Sequence, residues 1–239
     1  MIDRRTFIGL AGMVGLSLAG CGTGNAVTQT TDSPQATEVE QTPSEKPAQP
    51  RVTEYCFSTD DDNEYSYWTA IVENPNTSYA ATYMSVRATA YDENGAILGT
   101  SNSSTQLLLP QHKVAFNQQL GRYVPASIEV EVATLNDNEF APWDLETDGD
   151  PKFEIANLNE INDGRHTKVT GTVHNDFTQK TDIWVVIALR DSDGKLIDGM
   201  YGYAKDATPQ DDTAFEAEVF YVAPEHASIE GYANPRVPS

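Results

Sequence analysis

Positive charge is scarce in this chain of 239 residues: 15 Lys and Arg stand against 36 Asp and Glu, a formal net charge of −21. So acidic a surface repels phosphate backbones, which excludes bare nucleic acid as a partner. The 2 cysteines are too few for a disulfide framework or a four-ligand zinc cluster. No apolar run reaches the ~20 residues of a permanent membrane-spanning helix. Catalytic signatures are missing too. No Ser sits in a Gly-x-Ser-x-Gly elbow, and no Gly-rich phosphate cradle opens a helix. His112, His166, His174 and His226 form no His-x-His or His-x-x-x-His pair, so they are expected to be loop or surface residues. Non-catalytic work is the expectation, without a cofactor.

What is present begins with an address. Arg4 and Arg5 precede a short run of apolar and small residues from Phe7 to Gly20. Leu18-Ala19-Gly20-Cys21 resembles the bacterial lipobox. The resemblance implies that residues 1–20 are a signal peptide, cleaved before Cys21. It also implies acylation of Cys21 with diacylglycerol and palmitate, and a lipid anchor on the outer face of the cytoplasmic membrane. Asp3-Arg4-Arg5-Thr6-Phe7-Ile8 resembles a twin-arginine export signal, the ordinary secretory route being the alternative. Residues 21–50 are rich in Thr, Pro and Gln and contain no Leu, Ile or aromatic residue. Such a segment has nothing to bury and reads as a disordered stalk, with a span of roughly 30 Å.

Beyond the stalk the chain repeats itself at an offset near 99. Tyr91-Asp92-Glu93-Asn94-Gly95 aligns with Arg190-Asp191-Ser192-Asp193-Gly194, Pro110 with Pro209, Ala115-Phe116 with Ala214-Phe215, and Asn74 with Asn175. Inside each copy the apolar period is two. Met84, Val86, Ala88 and Ala90 alternate with Ser85, Arg87, Thr89 and Tyr91, and Ile183, Val185, Ile187 and Leu189 alternate with Trp184, Val186, Ala188 and Arg190. That alternation predicts half-buried strands, followed at Gly95 and Gly194 by hairpin turns. Trp68–Glu73, Ile128–Ala133, Thr167–Val173 and Phe215–Val222 also read as strands, and Val52–Phe57 as a first strand carrying a buried, inert Cys56.

The expected fold is therefore all-β: two tandem immunoglobulin-like antiparallel sandwiches, over 51–141 and 152–239, joined by an acidic linker at 142–151. The order strand–Asn–loop–strand–Tyr-Asp-x-x-Gly–strand–Pro–Phe resembles the FxLYD-type module of extracytoplasmic bacterial and archaeal proteins. The name-giving signature reads Ala88-Thr89-Ala90-Tyr91-Asp92 in the first copy and Ile187-Ala188-Leu189-Arg190-Asp191 in the second. The resemblance implies an immunoglobulin-like fold and brings no catalytic residues.

Two candidate sites remain. Asp144, Glu146, Asp148 and Asp150 offer oxygen ligands on a loop, as Ca²⁺ requires, although they do not match the twelve-residue Ca²⁺ loop. Solvated turns are the competing reading of these acids. The second outward strand face is more apolar, Trp184, Val186 and Ala188 standing where the first copy has Ser85, Arg87 and Thr89. Trp184 and Val186 are accordingly expected to meet either the first domain or another protein. The favoured function is a lipid-anchored binding, adhesion or envelope-assembly module that meets a surface protein or glycan. The alternative is an accessory ligand- or cation-binding lipoprotein serving a sensor or transport complex.

Overall fold

The computed structural model describes residues 46–60 and 64–236. The first repeat forms β1 (Arg51–Thr59), β2 (Ser66–Glu73), β3 (Tyr79–Tyr91), β4 (Ile97–Leu108), β5 (Lys113–Gly121), β6 (Ser127–Val132) and β7 (Phe140–Pro142). The second forms β8 (Ile155–Asn162), β9 (Thr167–His174), β10 (Thr181–Arg190), β11 (Leu196–Ala207), β12 (Asp212–Val219) and β13 (Ser228–Pro235). A 3₁₀ turn at Asp137–Glu139 is the one helical element among the described residues. Every strand pairing is antiparallel.

The repeat in sequence is a repeat in topology. The first half pairs β1-β2-β5 in one sheet and β4-β3-β6 in the other, with β7 added to β3. The second half pairs β8-β9-β12 and β11-β10-β13 in the same order, so each half is an immunoglobulin-like antiparallel sandwich. They differ at one seam. In the second half β11 bonds β12 over Tyr201–Tyr203, merging both sheets into one of six strands. Gly202 permits this approach, because a Cβ there would lie 1.9 Å from the Glu216 carbonyl oxygen. Ser103 occupies the corresponding place in β4, and no ladder joins β4 to β5.

The alternating faces fill the two cores as the period of two predicts. Met84, Val86, Ala88 and Ala90 are fully buried with Trp68 and Phe116 in the first core. Ile183, Val185, Ile187 and Leu189 are fully buried with Phe215 and Tyr221 in the second. Two elements depart from the expectation. β12 ends at Val219 rather than Val222, because the chain then bends to bury Tyr221 and leaves Phe220 exposed. The last residues of the predicted stalk, 46–50, lie against the first sandwich. Asn76 exchanges two hydrogen bonds with the Ala48 backbone, both 2.8 Å, and Gln49 does the same with the Leu135 backbone at 2.8 and 3.0 Å. Side-chain amides here replace backbone partners, a pairing that no hydrophobic pattern reveals.

The repeated Asn and Asp are the internal fasteners of each copy. Asn74 Nδ2 donates to the carbonyls of Tyr79 (2.8 Å) and Leu108 (3.0 Å), and its Oδ1 accepts the Asn76 N–H (3.1 Å). Asn175 donates to Gln179 (3.0 Å) and Ala207 (2.8 Å) and accepts from Phe177 (3.0 Å). Both are fully buried and tie the β2–β3 or β9–β10 loop to the following hairpin. Asp92 and Asp191 each accept two backbone N–H groups of their own turns, which close at Gly95 (φ 80°) and Gly194 (φ 78°). Replacing Asn74 or Asn175 by Ala strands buried carbonyls and an N–H, and should lower the unfolding free energy by about 3 kcal/mol in urea titrations. A loss below about 0.5 kcal/mol, typical of an inert surface position, would show that these loops hold without the amide.

Candidate functional site at the seam between the sandwiches

The outward face of β10 explains how the halves meet. Val186 and Ala188 are fully buried, with Leu196, against Ile71 of β2 and Ala115 of β5. The apolar substitution of the second copy is thus covered by the first sandwich, and Val186 is not available to an outside partner. Arg87 and Thr89, at the equivalent positions of β3, are not fully covered in this way; Arg87 is exposed and pairs with Glu131. Cys56 lies at the same contact, partly rather than fully buried, and burial pushes its thiol up to about 12, which leaves it protonated at neutral pH.

Polar groups close the seam around this apolar patch. Asn117 Nδ2 donates to the Gly199 carbonyl at 3.0 Å, and Asn234 Nδ2 to the Ala115 carbonyl at 2.8 Å. Arg190 grips Glu54 of β1 in a bidentate pair, 2.6 and 3.1 Å, and also reaches Glu230 at 2.9 Å. That pair holds the Glu54 carboxyl below its ordinary value. Position 190 therefore has a use for its departure from Tyr91. Asp198, almost wholly buried, accepts from Ser58 Oγ at 2.6 Å, from the Tyr221 hydroxyl at 2.9 and 3.1 Å and from the Gly199 N–H at 2.8 Å. Burial raises its carboxyl above the usual range despite these donors. Asp198 escaped the sequence reading, although an acid where the first copy has Gly99 was a visible signal.

Beside the buried patch the seam opens into a groove of about 590 Å³. Its first wall is the β4 run from Asn102 to Gln106, and its second is Trp184, Tyr203 and Asn234. Trp184 faces Tyr203 across the β10–β11 ladder, with ring centroids 6.0 Å apart and 21° between planes, and meets Tyr201 edge-on at 5.8 Å. A second groove of about 520 Å³ continues past Gln118, Tyr203 and Lys205 toward Tyr67 and Phe220. Trp184 thus sits where surface chemistry is available, as Val186 does not.

The acidic loop is different. Asp144 Oδ1 accepts the Glu146 N–H (2.9 Å), Asp148 Oδ2 accepts the Asp144 N–H (2.8 Å), and Asp150 pairs with His112 Nε2 (2.7 Å). Three of these carboxylates are thereby committed to local turns or to His112, and no group of three or more His, Cys, Asp or Glu among the described residues is placed to hold a metal. The four candidate acids, Asp144, Glu146, Asp148 and Asp150, do not converge on a common point. Arg4, Arg5 and Cys21 lie outside the described residues. No protein-family model matches the chain, and no curated protein matches it.

Asp198 makes the seam sensitive to pH with a definite sign. The folded state holds its proton in the interval between the ordinary carboxylate value and the raised one. Stability from this group is greatest below that interval and falls as pH rises through it. The unfolding free energy of the parent protein minus that of Asp198→Asn should therefore decrease with pH over that interval, by up to ~1.4 kcal/mol per unit. A difference independent of pH from about 3 to about 8 would mean that Asp198 titrates alike in folded and unfolded chains.

Proposed function

We propose that this chain is an exported, lipid-anchored binding module without catalytic activity, and that the seam groove is its working surface. One observation carries the reading. Both sandwich cores are filled, while aromatic rings and uncharged amides are concentrated along an open groove made jointly by the two halves. A groove of this kind suits an extended partner better than a solute that must be enclosed. The N-terminal motifs support the address. The Cys21 lipobox would anchor the chain at the outer face of the cytoplasmic membrane, and Arg4-Arg5 would direct export. Among the described residues no helix is long and apolar enough to cross a membrane. A tether ending at Lys46 would hold the groove near the cell surface, where anchoring raises its effective concentration toward envelope partners.

Lipidation is tested by replacing Cys21 with Ser and following detergent-phase partitioning of the protein from its native host. The parent should partition into detergent and the variant should lose that behaviour, falling at least about tenfold, since acyl chains supply ~0.8 kcal/mol per buried methylene. A photoreactive residue at position 203 should also crosslink to an envelope component in intact cells, and one at exposed Tyr83 should not. Unchanged partitioning of Cys21→Ser would refute the anchor, and equal crosslinking from both positions would refute the groove.

A further inference from the structure

Three buried side-chain polar atoms lack a hydrogen-bond partner among the described residues: Ser103 Oγ, Trp184 Nε1 and Asn234 Oδ1. All three belong to residues lining the 590 Å³ groove. They come from three strands, β4, β10 and β13, and from both sandwiches. Folded chains rarely leave such groups unpaired, and Ser103 and Asn234 are more than nine-tenths buried. A ligand that pairs them would gain what the fold alone forgoes.

We infer that the groove binds a neutral oligosaccharide, through Ser103, Trp184 and Asn234 and the ring faces of Trp184 and Tyr203. The inference rests on the groove being the working surface and names its ligand class. The unpaired set is one indole N–H donor, one amide oxygen acceptor and one hydroxyl that serves as either. This is the complement of neighbouring sugar hydroxyls, each both donor and acceptor. The Asn234 amide is oriented by its own bond to Ala115, so its oxygen is the free end. Ser103 Oγ and Trp184 Nε1 are buried just beneath the groove surface, so a ligand that pairs them must be met by a turn of these two side chains. The near-parallel Trp184 and Tyr203 rings offer flat apolar faces for the C–H side of a pyranose.

Charge selects a neutral chain. Lys205 and Arg236 face a single acid, Asp182, in the lining, but the whole protein carries −21 and repels a polyanion on approach. The continuation past Gln118 into the second groove gives room for several sugar units rather than one.

The test is a calorimetric titration of the full chain with cellohexaose, chitohexaose, mannohexaose and maltohexaose, and with dextran sulfate. At least one neutral hexaose should saturate with a Kd below about 1 mM, and dextran sulfate should not bind. Tyr203→Ala, at an exposed position, should weaken that binding about tenfold with Tm unchanged. Trp184→Phe, which keeps a ring and removes the N–H, should weaken it about fivefold. Failure of all four hexaoses to saturate at 10 mM (roughly the weakest useful affinity), tighter binding of dextran sulfate, or an undiminished affinity of Tyr203→Ala would each overturn the inference. If position 203 crosslinks to a protein in cells while no hexaose binds, the binding-module reading survives and the glycan does not. If a hexaose binds but Cys21→Ser still partitions with detergent, the groove and its glycan survive and the lipid anchor does not.

Discussion

Strand β2 and the middle of β5 are buried on both faces, and the rest of the molecule is arranged around that fact. An antiparallel sandwich sheet ordinarily keeps one face for water. Here Trp68, Ala70 and Val72 point into the first core, while Ile71 and, from β5, Ala115 point the other way into the second sandwich. The central strand β2 reads as Trp68-Thr69-Ala70-Ile71-Val72, apolar but for Thr69, rather than as a strict alternation. Each large aliphatic side chain so covered contributes about 1.5–3 kcal/mol that an isolated domain would lose. The two sandwiches packed in this way form one compact unit, Lys46–Ser239, and the groove lies between β4 of the first and β10, β11 and β13 of the second.

Much of this was legible in the chain. A period of two in Met84–Ala90 and Ile183–Leu189 places one face inward with no further information. The paired Asn74 and Asn175, and the paired Asp92 and Asp191, mark loops that repeat because the backbone groups they satisfy repeat. Even the seam left a trace, since Val186 and Ala188 are apolar where the first copy has Arg87 and Thr89. The polar half of the seam left little. Asp198, Ser58, Asn117 and Asn234 come together from distant parts of the chain, and their partners are set by tertiary geometry. β8 was equally silent, because most of its residues face solvent without alternation. The acids at 144–150 form the local turns that stood as the competing reading beside Ca²⁺. Asx turns and Ca²⁺ loops draw on the same residues, and only the direction of the carboxylate separates them.

The groove inherits its chemistry from the repeat. Where the second copy joins β11 to β12 through Gly202, the first has Ser103 and leaves β4 without that ladder. The same position is thus a closure in one copy and a wall of the groove in the other. Aromatic residues from the second copy and amides from the first meet across it, a division of labour that neither sandwich could achieve alone. The strong negative charge opposes the approach of a polyanion, while aromatic rings and amides line the groove beside Asp182, Lys205 and Arg236.

The most direct test of shared burial is hydrogen exchange of the whole chain across a urea series, read strand by strand. If the two sandwiches are one body, amides of β2, β5 and β10 open together with a single free energy that falls on one urea dependence. If β10 and β11 open at low urea while β2 and β5 keep their full protection, the halves are merely adjacent and the account is wrong.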